Sequence, residues 1–270
     1  MKTEILRGVR SGVGVAAAAV LACTLAGCFD VEESVSLGRD LSGKAGFSMT
    51  VDMEPMLQMM AEMQHGMSGQ TGPVTPEEMA KIRRDFLAKQ KTEADPAKVQ
   101  AETAARKAQL GQQLPAGVKL LSASVENQEL KLVVRMEFGF DDIRKLAQID
   151  LPQDDKAVAA GPGKNPYSQP FSGLKVTDEG STLLVTMSGA DPASRVAQQN
   201  GPGPVDAATQ QQIAAVLKNA RFAFSLASPF EVVTTNATRR DGHTLYWELK
   251  LSDAAGGAKL PDTLMARLKK

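Results

Sequence analysis

The sequence predicts an α+β fold, a mostly antiparallel sheet of about eight strands in hairpins, with interspersed helices packed on one face and a helical insertion near 75–111. Three observations lead there. Several segments alternate apolar and polar residues with period two, the mark of half-buried strands. Asp, Asn and Gly clusters separate them, as tight hairpins demand. Between the hairpins lie stretches with helical spacing and recognisable caps.

The strands come in order. Val31, Glu33, Val35 and Leu37 interleave with Glu32, Ser34 and Ser36, and Glu33 interrupts an otherwise apolar face. Phe47, Met49, Val51 and Met53 alternate with Ser48, Thr50 and Asp52. Leu130, Leu132, Val134, Met136 and Phe138 form the longest clean face, and Leu245, Trp247, Leu249 and Leu251 form another. Turns are expected at Asp40-Leu41-Ser42-Gly43, Glu126-Asn127-Gln128, Asp178-Glu179-Gly180 and Arg240-Asp241-Gly242. Four hairpins follow, and one antiparallel sheet covered by helices is the economical arrangement.

Thr75-Pro76-Glu77-Glu78 reads as a capping box, with Thr75 as N-cap, Pro76 at the first helical position and Glu78 at the third. Met79, Ile82 and Phe86 then line one face. Asp95-Pro96 restarts the pattern toward Leu110, with Val99 and Leu110 its only large apolar residues, so that helix is expected to be mostly solvated. Asp141 is expected to cap a helix from Asp142 to Ile149. A further helix is expected from about Asp206 to Asn219, and a short one, opened by Pro261, over Leu260 to Leu268. The glycine- and proline-rich stretches 153–166 and 193–204 read as loops. They leave two halves, 28–152 and 167–270, or one continuous domain over 28–270.

Composition excludes several functions. Net charge is zero and no long single-sign block occurs, so the concentrated basic footprint of a nucleic-acid binder is missing. The only cysteines are Cys23 and Cys28. No Gly-x-Ser-x-Gly elbow, phosphate-cradling glycine loop or His-Glu-x-x-His motif occurs, and the chain has only two histidines, His65 and His243. The expectation is a protein that is not an enzyme and carries no cofactor.

The first thirty residues are the most informative. Lys2, Arg7 and Arg10 precede an apolar, alanine-rich run from Val13 to Ala26, the arrangement of a secretory signal over residues 1–27. The run ends in Leu25-Ala26-Gly27-Cys28, which resembles the bacterial lipobox. That resemblance implies cleavage between Gly27 and Cys28, diacylglycerol on the Cys28 sulfur, and an acyl chain such as palmitate on the new amino terminus. Several chains together anchor stably where one would be marginal. Cleavage discards Cys23 and lipid consumes Cys28, which leaves the mature chain without a disulfide or a thiolate site. A rival box, Val20-Leu21-Ala22-Cys23, fits less well because Leu21 is bulky and the apolar run would be cut short. Phe29, not Asp, follows Cys28. By the same resemblance this favours the outer membrane, facing the periplasm, in a Gram-negative cell.

Among candidate chemistry-bearing residues, methionine clustering stands out. Of twelve methionines, six lie between Met53 and Met67, with His65 among them. Met56, Met59, Met60 and Met63 fall at i, i+3, i+4 and i+7, one face of a helix. Such a face suits core packing or a pliable contact with lipid or protein, since methionine fills irregular gaps. With His65 it also offers soft ligands for Cu(I), and resembles methionine-rich copper-handling segments of bacterial envelopes. Asp141 and Asp142 are adjacent at a helix start, which suits capping better than paired carboxylate chemistry. Lys81, Arg83, Arg84, Lys89 and Lys91 form a basic patch, but interleaved Glu77, Glu78, Asp85 and Glu93 favour a solvated face over a headgroup site. His243 reads as a turn residue and Trp247 as core.

The closing hairpin, Thr234 to Trp247 with Asn236, Asp241-Gly242 and Trp247, together with the strands after Cys28, resembles the mycobacterial LppM-type lipoprotein domain and related uncharacterised bacterial lipoproteins. The likeness covers about a quarter of the mature chain, and the helices from Thr75 to Leu110 depart from it. It implies an α+β envelope domain, lipid binding among its possible roles, with no catalytic residues to carry over. Three function classes follow: a non-catalytic scaffold or binding lipoprotein with an envelope protein partner, the favoured reading; a binder of lipid or another apolar ligand; and a periplasmic copper binder using the methionines.

Overall fold

The computed structural model describes residues 29–68, 73–93, 104, 108–151, 169–188, 220–250, 253 and 261–270. Eleven strands are described: β1 (Phe29–Leu37), β2 (Gly43–Asp52), β3 (Val118–Gln128), β4 (Lys131–Phe140), β5 (Leu174–Asp178), β6 (Thr182–Ser188), β7 (Arg221–Ala227), β8 (Glu231–Thr235), β9 (Arg239–Asp241), β10 (Thr244–Lys250) and β11 (Thr263–Lys269). They build two sheets, not one. The larger has seven strands in the order β3-β4-β2-β1-β7-β10-β9, and the smaller has four in the order β5-β6-β11-β8. The pairing is antiparallel except between β1 and β7, which run parallel. The α+β class therefore holds in its coarse form, while the expected single antiparallel sheet gives way to a mixed sheet backed by a second.

The reason lies in the inner faces. Val31, Val35, Phe47, Phe138, Phe224 and Trp247 of the larger sheet join Leu183, Val185, Leu264 and Leu268 of the smaller in one buried cluster. Two apolar sheet faces cover each other, and neither needs a layer of helices. Phe224 and Trp247 are cross-strand neighbours with ring centroids 5.5 Å apart. Phe171 meets Phe138 edge-on at 6.5 Å. The cluster draws on residues before 152 and after 167 alike. Glu33 does sit on the inner face, 2% exposed, with Phe47 and Phe224 as its partners in register.

Three strands, β7, β8 and β11, lie outside the four expected hairpins. β7 carries Phe222, Phe224 and Leu226 inward. β11 occupies the place of the expected helix over Leu260–Leu268. There Leu264, Ala266 and Leu268 are buried and the strand is paired on both sides, by β6 and β8. Two hydrogen-bonding neighbours outweigh a helical spacing of leucines that fits either structure. The expected turn at Glu126–Gln128 lies inside β3, paired with Lys131 to Val133, and the chain reverses instead at Glu129 and Leu130, with Glu129 at φ 54°.

Asp141 does not cap the segment after β4. Residues Ile143–Gln148 form a 3-10 helix whose N-cap is Asp142, accepting from the Arg144 amide at 2.9 Å. Asp141 pairs with Lys145 at 2.8 Å. Ile143, Leu146 and Ile149 close one side of the core. The expected helix from Asp206 to Asn219 and both expected loops lie outside the described residues, as does most of the helix from Asp95. Of that helix, 104 and 108–113 are helical and Leu110 is buried.

Candidate functional site

β2 leads directly into two helices, Glu54–Met67 and Pro76–Glu93. Asp52 starts the first by accepting from the Glu54 amide at 3.0 Å, and the Met53 amide donates to the Leu130 carbonyl at 2.7 Å, tying the helix start to the β3–β4 turn. Ser68 ends it, its amide donating to the Gln64 carbonyl at 3.1 Å and its hydroxyl to the His65 carbonyl at 2.8 Å. The second helix opens with the capping box read from the sequence. The Glu78 amide donates to the Thr75 hydroxyl at 3.3 Å, and the Thr75 amide donates to the Glu78 carboxylate at 2.8 Å. That backbone bond, then the Thr75 hydroxyl, hold the Glu78 carboxyl below the usual carboxylate range.

Among the described elements the first helix packs chiefly on the second. Arg83 pairs with Glu54 at one place, and His65 Nδ1 lies 3.7 Å from Glu78 Oε1 at another. Between them runs an open groove of roughly 600 Å³, lined among others by Glu54, Gln58, Glu62, His65, Met79 and Arg83. Glu54, Gln58, Glu62 and His65 recur at helical spacing on one face, while Leu57 and Ala61 are buried on the flank. The groove offers carboxylates, an imidazole, a guanidinium and a thioether.

The side chains of Met56, Met59 and Met63 lie outside the described residues. Met60 is 44% exposed and Met67 83%. Met60 and His65, five residues apart, sit about 140° apart around a helix of 3.6 residues per turn. The helix therefore separates His65, on the groove, from Met60. No group of three or more His, Cys, Asp or Glu with metal-binding geometry occurs among the described residues. Of the basic patch, Lys81, Arg83 and Arg84 are exposed, and the side chains of Lys89 and Lys91 lie outside the described residues. Cys28 and Gly27 lie outside the described residues.

Two features escaped the sequence reading. Arg221 on β7 pairs with Glu32 and lies 4.0 Å from Asp30 and 3.9 Å from Glu248, joining β1, β7 and β10 on the outer face. Burial raises the Asp30 carboxyl above its ordinary value, and Arg221 opposes the rise. The second is Asn236, where the chain passes from β8 in one sheet to β9 in the other. Its Oδ1 accepts from Trp247 Nε1 at 2.9 Å and from the Met265 amide at 2.7 Å, and its Nδ2 donates to the Thr263 carbonyl at 2.8 Å. One side chain thus stitches β10 to β11. Nothing in the stretch Thr234-Thr235-Asn236-Ala237-Thr238-Arg239-Arg240 names these partners.

No protein-family model matches the chain, and no curated protein matches it. Among solved structures the chain is similar to the NMR structure of the folded domain of LppM from Mycobacterium tuberculosis, with 13% sequence identity, a TM-score of 0.36 and 90% of each chain covered. A likeness at that level carries no functional argument.

Proposed function

We propose that this chain is an exported lipoprotein held on a membrane of the cell envelope through Cys28, and that its folded part is a non-catalytic binding module for an envelope protein. What supports the second half is the helical groove. It is open to solvent, built on a hairpin that packs mainly on itself, and lined by ion-pairing and apolar groups side by side. Interface patches combine such groups, a polar rim around an apolar contact. Exposed Leu121 and Val125 on the edge strand β3 add apolar surface outside the groove. What supports the first half is the lipobox-like Leu25-Ala26-Gly27-Cys28, preceded by the apolar run of a secretory signal. A processing site there leaves the described fold whole. In a Gram-negative cell Phe29 after the cysteine, in place of Asp, favours the outer membrane, facing the periplasm.

Photo-crosslinking in intact cells tests the binding reading. A photoreactive amino acid at Gln58, in the groove, is expected to give one discrete protein adduct, and the same group at Asp241, on the far hairpin, none. Smearing at both positions would sink the reading. Native mass spectrometry of the unlipidated chain separates the rival readings: a retained phospholipid would favour an apolar-ligand binder, and a retained Cu(I) the methionine site.

A further inference from the structure

Both neighbours of β1 hold it from its first residues. Phe29 is in register with Val51 of β2, and Asp30 with Thr50 of β2 and Arg221 of β7. If Cys28 bears the lipid, no slack separates the anchor from the centre of a seven-stranded sheet, because one peptide step is only about 3.8 Å. We propose that one end of the sandwich is a membrane-contact surface, namely the start of β1, the end of β2, the β3–β4 turn at Glu129 and Leu130, and the first turn of the methionine-rich helix. This rests on the lipid-anchor reading and adds to it a fixed orientation and a contacting face.

The register defines that end. Asp52 pairs with Lys131, and Lys131 with Gln128, so the β3–β4 turn lies beside the end of β2. Lys250 pairs with Arg221, so β10 also finishes there. Met53 ties the helix start to Leu130 at the same place. The opposite end carries the β1–β2 turn around Arg39, since Leu37 pairs with Gly43, and the turn at Gly242. Eight strand steps from Phe29 to Leu37 put that end about 27 Å from the anchor.

The partner's chemistry follows from the charges at the near end. Asp30 and Asp52 stand beside Lys131 and Arg221, Glu248 beside Lys250 and Glu54 beside Arg83, with Glu129 at the turn. Signs are mixed, so the surface lacks the polybasic cluster that draws a protein to anionic lipid. A zwitterionic phospholipid surface, with phosphate and ammonium in each headgroup, matches it. The tether sets the orientation, and headgroup charge contributes little.

The test uses the full chain, exported, lipidated and reconstituted in phosphatidylethanolamine–phosphatidylcholine vesicles containing a headgroup-nitroxide lipid. Gln128→Cys and Arg39→Cys each place a fluorophore at one end, since lipid blocks Cys28 and Cys23 leaves with the signal. Vesicle flotation is read first. The expected result is flotation with the Gln128→Cys probe quenched several-fold more than the Arg39→Cys probe, unchanged when anionic lipid is added. Flotation with equal quenching, or quenching that needs anionic lipid, overturns the orientation while sparing the anchor. A chain that stays in solution and labels at Cys28 overturns the anchor, and the orientation with it.

Discussion

Replacing Asn236 by Ala should destabilise the fold well beyond what an exposed asparagine ordinarily costs. The substitution removes three hydrogen bonds, to Trp247 Nε1, the Met265 amide and the Thr263 carbonyl. Trp247 is 2% exposed, so its indole N–H loses its acceptor inside the protein. A stranded buried donor costs about 1–3 kcal/mol, and each bond to the β11 backbone, where water substitutes in part, about 0.5 kcal/mol. The sum is about 3 kcal/mol, or a fall in Tm of roughly 6–12 °C for a chain of this size. Trp247 is the only tryptophan, so its fluorescence during urea unfolding of the chain lacking residues 1–28 reads the change at the affected contact. Asn236→Asp keeps an acceptor toward Trp247 but loses the donor to Thr263, and should fall between wild type and Asn236→Ala. A loss under about 0.5 kcal/mol for Asn236→Ala, the range of ordinary surface substitutions, would refute the idea that this residue joins the sheets.

Further outcomes follow from the same structure. Leu264→Ala and Leu268→Ala should each cost about 2–5 kcal/mol, while Arg267→Ala at an outward position between them should cost far less; a helix-like pattern, with Met265 and Leu268 equally sensitive, would contradict the strand. Thr75→Ala should speed amide exchange in the first turn of the capped helix without touching the core amides. Asp142→Asn should destabilise at neutral pH. The hydrogen bond from the Arg144 side chain holds the Asp142 carboxyl below its ordinary 3.8, so the folded chain binds that proton more weakly than the unfolded one. The stabilisation is complete above pH 3.8 and fades as pH falls through the depressed value; wild type and Asp142→Asn should therefore converge in acid in urea titrations. Glu129→Gly should stabilise by up to about 1 kcal/mol, because glycine adopts the left-handed backbone without a Cβ penalty.

What the sequence disclosed was local. The capping box at Thr75, the inward face of β10 with Trp247, the methionine-rich helix and the turn at Asp40 all depend on neighbours a few residues away. Asp40, for instance, accepts from the Ser42 amide at 3.1 Å. What stayed hidden was pairing at long range. β11 is a strand because β6 and β8 flank it, and its leucines alone fit a helix equally well. The second sheet follows from the same cause: each strand shows which side is apolar, and nothing in it shows whether a helix or another sheet will cover that side. The candidate site divides likewise. Arg83 was legible as a charge on a solvated face, but its pairing with Glu54, twenty-nine residues earlier, needed the hairpin to close. His65 and the methionines looked like one cluster in sequence because they share a short stretch, whereas the turn of the helix sends His65 and Met60 to different faces.

Whether Cys28 carries the anchor is decided by intact mass and amino-terminal peptide analysis of the full chain recovered from bacterial membranes. The expected product is a mature chain that begins at Cys28 and carries a diacylglyceryl group plus an amide-linked acyl chain, with an unprocessed precursor for Cys28→Ser. A mature chain with a free Cys28 thiol, or one cut at another residue, would contradict it.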